Sequence, residues 1–323
     1  MDMEKILQSL RPVKGVFSDE QIAEMVANET PLQKQFDNRV GPSVDGSPTI
    51  DYHVFSPAKK DDTAKYPVLI WLHGMSQGAR FREPVRGTDV ANFASPAFQA
   101  KFGGGAYVVV PRANEDLGMY STEVFLFTNS WLSGYDPAKT AGPVPEVLMN
   151  TIESGHADKI PPSQMPELAA AIRQFFSEEE ANIDFSRVYL AGFSAGGYMT
   201  WQTMLAMPDV FAAAAPICQA HFVPTDDALQ TVSHIPLWII CGEKDFLYEL
   251  SVVPTIEKLK TAHPADLLRT TIFENVYNPD RTPAESEHHS WVPVTYDMFY
   301  NDGKPYDEKY PKGFIDWLMS HKK

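Results

Sequence analysis

Hydrophobic positions along the chain fall into two kinds of pattern. Residues 49–56 (TIDYHVFS) alternate as a half-buried strand does. With the turn marked by Val44-Asp45-Gly46 they predict an opening hairpin. After that the pattern changes to blocks. Residues 67–72 (PVLIWL), 106–110 (AYVVV), 188–191 (VYLA), 211–218 (FAAAAPIC), 235–241 (IPLWIIC) and 267–273 (LLRTTIF) do not alternate. Such blocks suit strands buried on both faces of a parallel sheet.

Helical patterns lie between the blocks. Ser18-Asp-Glu-Gln21 has the form of a capping box, and Ile22, Met25 and Val26 follow on one face. Residues 167–178 bring Leu168, Ile172, Phe175 and Phe176 near one face, residues 195–206 are stopped by Pro208, and 251–262 and 312–321 complete the set. Strand–helix alternation of this kind predicts a mostly parallel α/β sheet with helices on both faces and an antiparallel hairpin at its edge. Neither a repeat nor a linker interrupts it, so 1–323 reads as one domain. Residues 114–165 break the rhythm, with Tyr120, Phe125, Phe127, Trp131 and Tyr135 set among Gly, Pro and Asn. So many aromatic residues argue against disorder and for an inserted cap or lid over the C-terminal edge of the sheet.

Composition narrows the function. A net charge of −15 argues against nucleic acid, which needs clustered Lys and Arg. Cys218 and Cys241 each follow an apolar run and stand in no metal-ligand spacing. Buried reduced thiols are expected, and neither a disulfide framework nor a metal site is. The sequence displays no long apolar leader or run of about 18 apolar residues, so a cytoplasmic protein without a membrane partner is expected.

The chemistry centres on Gly192-Phe-Ser194-Ala-Gly196. This G-x-S-x-G pentapeptide follows a predicted strand and opens a predicted helix, the context of a nucleophile elbow in the α/β-hydrolase fold. The turn is tight enough to demand small residues two before and two after the serine, and it holds the hydroxyl clear of the sheet. No G-x-x-x-x-G-K-[ST] or G-x-G-x-x-G pattern makes it a phosphate loop.

A serine hydroxyl needs a base, and the base an orienting acid. In this fold both come later in the chain, the acid just past a strand end. Asp245 in Cys241-Gly-Glu-Lys-Asp245 has that position, with Glu243 as competitor. His288 and His289 both follow the last strand, and spacing does not choose between them. His263 and His321 sit on helical or terminal segments, His221 lies where it can line a pocket, and His73 reads as structural. The oxyanion donors expected are the backbone N–H groups of Ala195 and Met75, with Ser76 as the alternative to the latter.

Several blocks together resemble the esterase-D-like α/β hydrolases, which include feruloyl esterases, polyhydroxybutyrate depolymerases and predicted peptidases. The similarity covers roughly residues 64–320 and rests on Val68 to Gly74 (VLIWLHG), on Ile183-Asp-Phe-Ser-Arg187 running into Val188 to Gly197, and on Pro208-Asp-Val-Phe211 through Cys218. It extends to His288-x-x-Trp291 and Phe314-Ile-Asp-Trp-Leu318. The family's histidine usually stands three positions before the tryptophan, so the resemblance implies His288; Glu287 departs from the glycine common before it. It further implies a cofactor-free serine esterase of small-molecule esters. A serine peptidase or amidase, and a catalytically silent ligand-binding relative, are the rival expectations. Oligomeric state is not legible.

Overall fold

The computed structural model describes residues 23, 27–46, 49–58, 63–74, 77, 83–113, 164–220, 223–301, 304–305 and 313–323. Eight strands form one sheet: β1 (Phe36–Val40), β2 (Asp51–Phe55), β3 (Tyr66–Leu72), β4 (Tyr107–Arg112), β5 (Ile183–Phe193), β6 (Ala213–Ile217), β7 (Leu237–Gly242) and β8 (Leu268–Phe273). Their order is β1-β2-β4-β3-β5-β6-β7-β8. β1 pairs antiparallel with β2 and β2 with β4, and every later pairing is parallel. This is the sheet of the α/β-hydrolase fold, with the predicted hairpin at one edge.

Burial follows position in the sheet. Every residue of β3, β4, β6 and β7 is buried, as uninterrupted apolar runs require. The edge strands β1 and β8 are partly exposed. The expectation for residues 49–56 needs correction. β2 is not half-buried, because Tyr52, His53 and Val54 are all fully enclosed. It lies inside the sheet between β1 and β4, and a helix covers its Tyr52 side. The predicted run 211–218 also shortens to β6.

Among the helices, α1 (Glu83–Arg86) and α2 (Pro96–Lys101) precede β4, and α3 (Met165–Glu178) precedes β5. α4 (Ala195–Ala206) spans the predicted residues, and nine of its twelve are buried, because it packs against β3, β5 and β6 beside the site. α5 (Asp226–Val232), α6 (Val253–Ala262), α7 (Trp291–Thr295) and α8 (Phe314–Met319) follow. A π-turn at Tyr248–Val252 takes the first residues of the predicted helix 251–262. Arg39 on β1 pairs with Glu178 at 2.9 Å and Glu179 at 2.8 Å, tying the hairpin to the end of α3. Tyr52 and Tyr107 donate to the same two carboxylates.

The helix expected from Ser18 falls almost entirely outside the described residues, as does the expected cap at 114–165 apart from Gln164 and Met165. Among the described residues no helix is long and apolar enough to cross a membrane.

Candidate active site

In an open α/β sheet, ligands bind beyond the C-terminal ends of the strands. The chemistry-bearing residues of this chain follow those ends. His73 and Gly74 follow β3, Ser194 follows β5, Cys218 follows β6 and Asp245 follows β7. His288 lies on a 3₁₀ turn (Glu287–His289) in the segment after β8.

Ser194 has φ 56° and ψ −121°, a left-handed conformation that an L-residue rarely adopts. The reason is steric crowding around the elbow. A methyl group on Gly192 would meet the Gly196 carbonyl oxygen at 2.4 Å, and one on Gly196 would meet the Leu72 oxygen at 2.1 Å. With both neighbours pinned, the chain reverses at the serine. The Ser194 N–H donates to the Ile217 carbonyl at 3.0 Å, and its carbonyl accepts from the Ala220 N–H at 2.9 Å. The elbow is thus tied on both sides to the exit of β6. Ala195 is buried as the first residue of α4, where helix N–H groups and the dipole favour negative charge.

The carboxylate of Asp245 is fully buried and well bonded. Its Oδ1 accepts from the Leu247 N–H at 2.9 Å, and its Oδ2 faces His288 Nδ1 at 2.8 Å. The Cys241 thiol donates to the same Oδ2 at 3.6 Å. Burial above all pushes the Cys241 thiol far up, followed by the charge of Asp245, so it stays protonated. Glu243, the competing acid, is exposed.

His288 rather than His289 meets Asp245. The His289 ring lies 4.7 Å from that of Trp291. The Ser286 hydroxyl accepts from the His288 N–H at 3.2 Å and starts the turn. Burial works to lower the pKa of His288, but the negative charge of Cys218 in its thiolate form, a hydrogen bond to the Cys218 sulfur and the hydrogen-bonded Asp245 carboxylate outweigh it and hold it above the ordinary imidazole value. Among the described residues no hydrogen bond joins Ser194 to His288.

Three contacts around the histidine had no signal in the sequence. Trp291 stacks on Phe193, immediately before the nucleophile, at 4.3 Å between ring centres. Phe246, about half exposed, lies 4.8 Å from the His288 ring. Cys218 Sγ, an Asp245 oxygen and a His288 ring nitrogen all lie within 4.8 Å of one another. The partners in each contact come from separate segments of the chain, so no local spacing announces their meeting. Glu287, which breaks the family pattern, accepts from the Val276 N–H at 2.7 Å and thereby pins the loop leading to His288.

His73 is fully buried; its Nε2 accepts from the Ala113 N–H at 3.0 Å and its Nδ1–H donates to the Gly74 carbonyl at 2.7 Å. Burial chiefly lowers its pKa to about 4, so it is a neutral tie between two loops. His263 ends α6 and His321 lies against Trp317. Met75, Ser76 and His221 lie outside the described residues.

Comparisons with known proteins agree with this architecture. The model of the prolyl oligopeptidase family matches residues 162–238. A poly(3-hydroxyalkanoate) depolymerase C of Paucimonas lemoignei is 51% identical over 51 residues, 15% of this chain and 12% of that protein. Among solved structures, a thermostable esterase aligns with TM-score 0.64 and 23% identity over 90% of this chain and 64% of the other. A ferulic acid esterase aligns with TM-score 0.56 and 13% identity over 88% and 98%. The chain therefore spans about an eighth of the depolymerase and under two thirds of the thermostable esterase.

Proposed function

We propose that this chain is a serine hydrolase that cleaves carboxylic esters through an acyl-enzyme on Ser194. The observation that carries the reading is the backbone of Ser194, a positive-φ serine crowded between two glycines at the head of a buried helix. Strain of that kind persists where it serves a site. A hydrogen-bonded His288–Asp245 pair at the ends of neighbouring strands supplies the base and the group that orients it.

In this mechanism Ser194 Oγ attacks the ester carbonyl carbon while His288 accepts its proton. Asp245 holds the imidazole through Nδ1 and stabilises the imidazolium. The N–H groups of Ala195 and Met75 take the oxyanion. His288 returns the proton to the departing alcohol. Water, deprotonated by His288, then releases the acid and regenerates the serine. No step calls for a cofactor. Substrate docking aligns the serine with the imidazole, as catalytic hydrogen bonds often tighten only in the complex.

Phe246, about half exposed, stands beside His288, which suits an apolar or aromatic substituent on the ester. The esterases with which the fold aligns support an ester as the scissile bond. The prolyl oligopeptidase match over 162–238 favours a second reading, a small-peptide amidase. The segment 114–165 is proposed as a cap within a single domain.

Fluorophosphonate labelling followed by a panel of p-nitrophenyl esters, feruloyl esters and aminoacyl amides tests the proposal. Label on Ser194, preference for esters, and a loss of about four powers of ten or more in Ser194→Ala are expected. Near-normal turnover by Ser194→Ala would refute the reading.

A further inference from the structure

The thiol of Cys218 has no part in the acyl transfer, yet it faces the two side chains that the mechanism needs. Its sulfur, an Asp245 oxygen and a His288 nitrogen lie within 4.8 Å of one another. Cys218 and Asp245 are buried, and the His288 side chain is 15% exposed. Each is held by its own backbone or cap. The Cys218 N–H donates to the Ile240 carbonyl at 2.7 Å, and φ at this residue is 34°. Asp245 is fixed through the Leu247 N–H and His288 through Ser286. Three groups that are already ordered lose little entropy when they converge on one ligand.

Their chemistry selects the ligand. One thiolate, one imidazole and one carboxylate make a borderline-soft donor set, which suits Zn²⁺ and similar ions better than Mg²⁺ or Ca²⁺. Zinc bonds of about 2.0–2.3 Å place tetrahedral ligand atoms roughly 3.3–3.8 Å apart. A spread no greater than 4.8 Å reaches that geometry with a contraction of about an ångström. Three protein ligands leave one tetrahedral position for water. The spacing 218, 245 and 288 matches no short metal motif, so the sequence gives no sign of the cluster.

We propose that Cys218, Asp245 and His288 form a thiolate–carboxylate–imidazole site for a soft divalent cation of the Zn²⁺ class, and that filling it switches hydrolysis off. The switch rests on the acyl-transfer reading given above; the metal site does not. On binding, the Cys218 thiol and the His288 imidazolium each lose a proton to solvent, and the sulfur, a carboxylate oxygen and the freed ring nitrogen each donate a lone pair to the cation. No electron is transferred. A metal-held imidazole is no longer available to Ser194, and removing the cation with a chelator restores it. Affinity falls in acid, where protons compete for the same lone pairs.

The experiment separates the site from the switch. Co²⁺ is titrated into Ser194→Ala, in which the three ligands remain. A near-ultraviolet sulfur-to-cobalt charge-transfer band is expected, retained in Cys241→Ser and lost in Cys218→Ser. Its absence from Ser194→Ala, or its survival in Cys218→Ser, overturns the site. Zinc-edge X-ray absorption on the wild-type chain needs no variant: a sulfur neighbour at about 2.3 Å supports the site and its absence overturns it. For the switch, Zn²⁺ inhibits ester turnover reversibly, and the half-inhibiting concentration rises at least about tenfold in Cys218→Ser. Equal inhibition of both proteins overturns the switch. Retained ester turnover by Ser194→Ala counts against the acyl-transfer reading, while the cobalt band reports on the metal ligands alone.

Discussion

At the scale of single residues, the pairing of Asp245 with His288 sets the expected pH behaviour. Asp245 gives its Oδ2 to His288 and its Oδ1 to the Leu247 N–H, so the carboxylate is held from both sides. Asp245→Asn leaves a side chain of the same shape but removes the charge and favours the wrong imidazole tautomer. A fall of about 10⁴ in kcat with an unchanged fold is expected, from steady-state kinetics and circular dichroism. His288 must be neutral to accept a proton. With its pKa held above the ordinary value, the acid limb of kcat/KM lies above pH ~6.5, and loss of the Asp245 charge moves that limb down. A limb that stays in place in Asp245→Asn contradicts this assignment. The same shift contributes stability that is complete below the unfolded pKa and disappears as pH rises through the folded one. At this scale, the strand-end position of Asp245 was readable from the chain. Its burial against the exposure of Glu243 was not, since both occupy one short loop.

At the scale of elements, close approach between segments governs the site. A methyl group at Gly242 would meet the Glu287 carbonyl oxygen at 2.5 Å, so the end of β7 and the histidine turn are in direct backbone contact. Gly242→Ala pushes that turn away. It is expected to lower kcat/KM at least about tenfold while costing about 1–3 kcal/mol by urea titration. Unaltered kinetics in a folded Gly242→Ala protein rule out this spacing role. His73 makes another such link, between the β3 exit and Ala113 after β4. Its folded pKa of about 4 lies below the unfolded value, so the neutral form is the one that folding favours. Stability from this group is present above pH ~6.5 and is lost as pH falls towards 4, by about 3 kcal/mol in all. His73→Gln should flatten that part of the curve in denaturant titrations at graded pH. The buried blocks were legible as uninterrupted apolar runs: α4 has the predicted ends and β3, β4, β7 and β8 agree within two residues, whereas β5 extends over 183–193 where 188–191 was predicted. α5 was missed, although Thr225 caps it, because it buries just Leu229 and Val232. α7 was missed because β-branched residues and Pro293 disfavour a helix; packing of Trp291 on Phe193 overrides that preference.

At the scale of the molecule, continuous buried strands gave the fold class directly, and the crossover order placed their C-terminal ends along one edge. Residues distant in sequence meet there, which is why the strand-borne parts of the candidate site could be read in advance and the grouping of Cys218 with Asp245 and His288 could not. The elbow also affects the whole chain. Held at φ 56°, position 194 keeps the folded state under tension that an unfolded chain does not feel. Glycine takes that angle without the Cβ crowding that serine and alanine share. Ser194→Gly is therefore expected to be more resistant to denaturant than Ser194→Ala by about 1 kcal/mol. Equal midpoints for the two would mean that the bend is relaxed. A protein that becomes sturdier once its hydroxyl-bearing residue yields to glycine has traded durability for readiness, and a screen for heat tolerance without an activity assay would favour inert variants at this position.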